Sequence, residues 1–170
     1  YIPENVALYG HLSAQENLAY LLHLAGQPAT AAVIAQALTA AGLDAAAHRR
    51  RVSDFSKGMR QKVSIAVALA RQVPVLLLDE PTSGLDPQAS SEFNRVLAQL
   101  RSQGVATLMA THDLLSVADV ADRIGFMDGG RLSHEVAAQE RGGARFDVLA
   151  LHRHYARRTT AQSALLEAST

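Results

Sequence analysis

Asp79 and Glu80 stand side by side after an apolar run, Val75-Leu76-Leu77-Leu78, and before a Pro81-Thr82-Ser83-Gly84 turn. Adjacent carboxylates in such a place can divide two jobs. One suits holding Mg²⁺, a hard cation that takes few protein oxygens and keeps several waters. The other suits accepting a proton from an attacking water. Side chains alternate along a strand, so the two acids point differently and need not compete. His112 follows a second apolar run, Val105 to Ala110, and can donate a hydrogen bond to an anionic oxygen as charge develops on it. Each has a plainer alternative. The acids can be two surface groups at a solvated strand end, and Thr111-His112-Asp113 can simply cap the helix of Leu114, Leu115, Val117 and Ala118.

The elements that must position these groups can be read around them. Pro74 and Pro81 bracket the short leucine run, which suits a strand buried on both faces, as in a parallel sheet. Residues 105–110 read as the next parallel strand, bringing His112 to the same sheet edge as Glu80. Open α/β sheets collect their ligands at that carboxyl edge. Ser56 opens a helix with Val63, Ala66, Val67 and Ala70 as its apolar stripe. Unpaired N–H groups and the helix dipole make its first turn an anion site, and Gly58 would let a ligand approach the backbone closely. The alternative there is that Ser56 is only a cap, and the two readings are compatible. Asp86-Pro87 is a further helix entry, with an acidic N-cap and proline at the first position.

Ser13 and Glu16 form a capping box ahead of Leu18, Leu21 and Leu22, and Gly26 closes that helix. Thr30 begins a second helix with Val33, Ala37 and Leu38, closed by Gly42. His48-Arg49-Arg50-Arg51 reads as a solvated basic linker. Asp128-Gly129-Gly130, between two apolar stretches, signals a hairpin. Residues 137–145 read as a loop. Beyond them Leu149, Leu151, Tyr155, Leu165 and Leu166 support helix, assigned to dimer or regulatory packing.

The chain has 170 residues, with 16 basic side chains balancing 16 acidic ones. Neutrality gives no electrostatic case for nucleic acid or an anionic membrane surface. There is no cysteine, which excludes disulfides and thiolate metal sites. No apolar run approaches the roughly 20 residues of a membrane span.

Taken in order, the motifs resemble those of ATP-binding cassette (ABC) ATPases. Ser56-Lys57-Gly58-Met59-Arg60-Gln61 is similar to the family signature in its SKGMRQ variant. Val75–Asp79 resembles Walker B, with Glu80 as the following glutamate. Ser83-Gly84-Leu85-Asp86 resembles the D-loop and His112 the switch histidine. Pro3-Glu4-Asn5 resembles the Q-loop, with Glu4 where glutamine is usual. Lys57 and Met59 also depart from the commonest signature. The resemblance covers roughly residues 1–135. It implies an α/β fold: a P-loop NTPase (RecA-like) ABC ATPase core with a helical subdomain.

The implied division is 1–72 (Q-loop, helical subdomain, signature helix), 73–136 (core half with Walker B, D-loop and switch histidine) and 137–170 (helical tail). No G-x-x-x-x-G-K-[ST] phosphate loop occurs, so the expectation is the later part of a cassette whose N-terminal portion lies outside this sequence. The implied cofactors are ATP and Mg²⁺. Asp79 and Glu4 would face the metal. Glu80 and His112 would be catalytic. Ser56, Lys57, Gly58, Met59, Glu4 and Asp86 would contact nucleotide, the signature residues and Asp86 across a homodimer or heterodimer of cassettes. A separate integral-membrane permease is the implied partner, reached through the loop of Val6, Leu8 and Tyr9, with the protein on the cytoplasmic face of the membrane. Export is the expected direction, since Pro3-Glu4-Asn5-Val6 with the SKGM signature is similar to cassettes serving ABC-2-type permeases, including those of copper-enzyme maturation in nitrous oxide reduction. DNA-repair and chromosome-segregation ATPases share these motifs but carry long coiled coils, for which residues 5–50 are too short. An isolated, catalytically incompetent half-domain is the other alternative.

Overall fold

The computed structural model describes residues 1–139 and 145–153; the expectations for Tyr155, Leu165 and Leu166 lie outside them. Residue contacts divide the chain into two units, Tyr1–His112 and Asp113–Thr170. The motif-based boundaries fall elsewhere, at 72/73 and 136/137. The physical reason is pairing across both. The residues before 72 hydrogen-bond into the strand after it, and residue 136 lies inside a strand of a hairpin.

In the first unit, α1 (Ala14–Leu24), α2 (Ala31–Ala40) and α3 (Lys57–Ala70) pack on one another. Leu18, Leu22, Leu38, Val63 and Ile65 are buried at their centre. The capping box of α1 forms as its residues predict. The Ser13 hydroxyl accepts from the Glu16 N–H at 3.2 Å, and Glu16 Oε2 accepts from the Ser13 N–H at 2.8 Å and its hydroxyl at 2.7 Å. Two further N–H groups of that first turn, Ala14 and Gln15, donate to the carbonyls of Arg50 and His48. This corrects the reading of 48–51 as a solvated linker. Arg49–Arg51 are exposed, but His48 is buried with Nε2 3.1 Å from the Leu43 carbonyl, because the segment satisfies the helix's orphan donors.

β1 (Val75–Asp79) runs parallel to β2 (Ala106–Ala110), with Val75 opposite Ala106 and Asp79 opposite Ala110. Between them in sequence lies α4 (Pro87–Ser102), which packs against β2. On its other edge β1 takes the Ile2 segment, also parallel. The Ile2 N–H donates to the Leu77 carbonyl at 2.8 Å, and the Asp79 N–H donates to the Ile2 carbonyl at 3.0 Å. The expectation that β1 is buried on both faces needs correction. Leu76 and Leu78 are 2% and 3% exposed, but Val75 and Leu77 are 55% and 42% exposed, and Leu108 on β2 is 70% exposed. The face of β1 that carries Leu76 and Leu78 is buried, and the face that carries Val75 and Leu77 is exposed.

The second unit holds α5 (Leu114–Val120) and an antiparallel hairpin of β3 (Arg123–Asp128) and β4 (Arg131–Ala137). Gly129 and Gly130 make its two-residue turn with φ of +51° and +77°, the left-handed pair that a twisted hairpin needs. Ala118, Ile124, Phe126, Phe146 and Leu151 form its core.

Two outcomes follow. Leu76→Ala should cost about 2–5 kcal/mol in urea unfolding of the 170-residue chain, whereas Leu108→Ala should stay within about 0.5 kcal/mol. The Ser13 N–H and then its hydroxyl hold the Glu16 carboxyl below its ordinary value of 4.5. A depressed folded pKa stabilises above the unfolded value and is lost as pH falls through the folded one. The stability advantage of the wild type over Glu16→Gln should therefore shrink as pH drops below 4.5; an advantage that stays constant would contradict this role.

Candidate active site

Parallel pairing gathers three chain segments at one sheet edge. Residue 4 leaves the end of the Ile2 segment, Asp79 and Glu80 leave β1, and Thr111 and His112 leave β2. The Glu80 N–H continues the pairing by donating to the Ala110 carbonyl at 2.8 Å. Glu80 then turns sharply, with φ of +43°. A non-glycine residue in that region costs about 1–3 kcal/mol and persists only where its surroundings over-determine it. Here they do. The Glu80 carbonyl accepts from the Ser83 N–H at 3.1 Å, and the carboxylate is held at both oxygens. Thr111 Oγ1 donates to Oε2 at 3.1 Å, and His112 Nδ1 lies 2.9 Å from Oε1. The His112 side chain is 69% exposed.

Asp79 is partly exposed and accepts from the Tyr1 hydroxyl at Oδ2, 2.9 Å away. This bond, and then burial and the charge of Asp79, raise the Tyr1 phenol above its ordinary value. Among the described residues no three His, Asp or Glu side chains converge as a metal cage. Mg²⁺ does not require one, since it commonly uses one or two carboxylates with substrate phosphates and waters. A partly exposed Asp79 carboxylate at the end of β1 fits that chemistry.

Glu4 is tied down differently. Its Oε1 accepts from Ser83 Oγ at 2.9 Å and from Lys57 Nζ at 3.2 Å. Those two bonds, then the Lys57 charge, hold its carboxyl below the usual range. Lys57 is the first residue of α3, whose N-cap Ser56 accepts from the Met59 N–H at 3.3 Å. The side of Gly58 that a Cβ would occupy faces Leu85 and Ala89, each at 3.5 Å, so the amino end of α3 lies against the 81–86 turn and the start of α4. Asp86 caps α4 by accepting from the Ala89 N–H at 2.8 Å.

The structure thus brings Glu4, Lys57 and Ser83 together, and Glu80 with Thr111 and His112. Sequence reading missed the roles of Thr111, Ser83 and Tyr1. Thr111 stands one residue beyond β2, in register with Glu80 one residue beyond β1, and that register was the signal available. The Glu4–Lys57 contact spans 53 positions and leaves no trace in local pattern.

The family model described as "ABC transporter" matches residues 1–83. The chain is 34% identical over 131 residues to the lantibiotic transport ATP-binding protein SrtF of Streptococcus pyogenes, covering 77% of this chain and 56% of that protein. It is 39% identical over 128 residues to the methionine import ATP-binding protein MetN of Caulobacter vibrioides, covering 74% of this chain and 38% of that one. Its fold matches the dimeric post-hydrolysis state of the ATP-binding cassette MJ0796 bound to ADP and Pi, with a TM-score of 0.68, 28% identity, and coverage of 84% and 62% of the two chains. This chain belongs to the ABC transporter ATP-binding family. Its α/β core is that of a P-loop NTPase cassette, and it spans about half the length of the curated relatives it matches.

The cap geometry yields a direct check. Asp86→Ala should lower stability by about 0.5–2 kcal/mol in urea unfolding, and Asp86→Asn, which keeps the acceptor, should recover most of it. Equal losses in the two variants would show that Asp86 contributes charge instead of a cap.

Proposed function

We propose that this chain supplies part of the ATP-hydrolysing machinery that drives an ABC transporter through a separate membrane permease. The observation that carries the reading is the shared edge of the sheet. Glu4, Asp79 with Glu80, and Thr111 with His112 leave adjacent parallel strands on one line, and Glu80 is already bonded to His112.

In this reading Glu80 orients the attacking water and takes its proton. Thr111 and His112 fix the carboxylate so that it cannot swing away. The exposed His112 ring would donate a hydrogen bond to a terminal phosphate oxygen when nucleotide binds. Mg²⁺, held by Asp79 together with the nucleotide's own oxygens, would neutralise phosphate charge when bound. Glu4 faces the same edge, with its charge balanced by Lys57. The amino end of α3, at Lys57 and Gly58, would offer helix N–H groups to a phosphate of a second cassette, and the 81–86 turn that ends in Asp86 lies against it. The MJ0796 cassette is described as a dimer, and a dimer of cassettes is the assembly proposed here. Among the described residues no helix is long and apolar enough to cross a membrane, so a permease subunit is the proposed membrane partner, docked from the cytoplasmic side. The relatives' names include both lantibiotic transport and methionine import; export is the direction we favour, on the SKGM signature and the Pro-Glu-Asn-Val loop.

Phosphoryl transfer is mostly positioning and charge stabilisation, and both need a phosphate cradle. The 170 residues contain no G-x-x-x-x-G-K-[ST] sequence. Purified alone, the chain is expected to release no phosphate from Mg²⁺-ATP above buffer. Turnover by the pure chain that Glu80→Gln abolishes would contradict the division of labour.

A further inference from the structure

The Glu4 carboxylate sits where three separate segments meet. Ser83 reaches it from the 81–86 turn at 2.9 Å, and Lys57 reaches it from the first turn of α3 at 3.2 Å. One helical turn further on, Gln61, 1% exposed, donates from Nε2 to the Glu4 backbone carbonyl at 3.4 Å. Residues 57 and 61 are four apart, so they share one face of α3 and grip the same residue by side chain and by main chain. The lysine stem also runs along Gly84, whose absent Cβ would lie 3.8 Å from Cδ and 3.9 Å from Nζ. Gly84 has φ of +68°, so the turn closes against the lysine through a residue of unusual conformational freedom.

The arrangement answers a question of charge. A carboxylate at position 4 shares its sheet edge with two others, Asp79 and Glu80, and like charges at one edge repel. Lys57 is the cation that touches it. Both positions are also ones where this sequence departs from the commonest motifs of its family, and the structure shows the two departures in contact.

We infer that Lys57 is a positioning residue for Glu4: the pair is matched, and it locks the residue 1–5 segment, the amino end of α3 and the 81–86 turn into one moving part. Displacement of any of the three then carries the other two. The carboxylate at position 4 is tolerated because position 57 supplies its counter-charge.

The test is a double-variant cycle on the 170-residue chain, read by amide hydrogen exchange at residues 2–5 and 82–86, with thermal unfolding as a check that each variant folds. Lys57→Met is expected to speed exchange in both segments about two- to fivefold, the range of a partly exposed ion pair. Lys57→Arg should keep wild-type rates. Glu4→Gln combined with Lys57→Met should be no faster than the worse single variant, because the second change has no partner left to lose. Multiplicative effects of the two changes, or a response confined to α3, would overturn the inference. So would failure of Lys57→Arg to preserve the rates. None of these readouts requires nucleotide, so the result stands apart from whether the cassette hydrolyses ATP.

Discussion

Backbone hydrogen bonds on both edges of β1 hold the candidate site together. The carbonyl of Leu77 and the N–H of Asp79 face the Ile2 segment, while the carbonyl of Pro74 and the N–H of Glu80 face β2. That alternation is what a strand in the middle of a parallel sheet must show. It also fixes where each strand stops. Because the strands run parallel, their carboxyl ends fall on one line, and the residues just beyond them become neighbours despite wide separation in sequence. A one-residue slip would turn every side chain to the opposite face. The buried positions of Leu76 and Leu78 and the partly exposed edge acids thus depend on the same register.

The chemistry is built on short departures from regular structure at that line. Glu80 bends away in a strained conformation, and its main chain and carboxylate are bonded to the Ala110–His112 end of β2 and to the following turn. That bend frees the carboxylate from the sheet's own alternation, so Asp79 and Glu80 occupy separate surroundings: one beside Tyr1, the other beside Thr111 and His112. Polar groups that are held in place before a ligand arrives need not reorganise when charge develops, and such preorganisation is the main source of electrostatic catalysis.

Much of this was legible in the residues. The caps Ser13, Thr30, Ser56 and Asp86, the proline-bracketed strand at 75–79 and the Gly129-Gly130 turn are local signals with local causes, and each element forms where its signal stands. Contacts across the chain were less legible. The burial of His48 depends on α1 needing acceptors for its first turn. The exposure of Leu77 and Leu108 depends on what covers the sheet, and an apolar run carries no record of which of its faces will be covered. The positive φ at Glu80 is not written in local pattern alone, since bonds to the Ala110–His112 segment hold it together with the following turn. The sequence reading brought Glu80 and His112 to one sheet edge, but not the hydrogen bonds that orient them.

The account rests on register, and register can be measured in solution. Scalar couplings across hydrogen bonds in the isotopically labelled chain report individual donor–acceptor pairs. The expected couplings run from the Ile2 nitrogen to the Leu77 carbonyl carbon, from Asp79 to Ile2, and from Glu80 to Ala110. Observing all of them would place Glu4, Glu80 and His112 on one edge. Couplings displaced by one residue, or an antiparallel pattern, would separate those side chains and contradict the site proposed here.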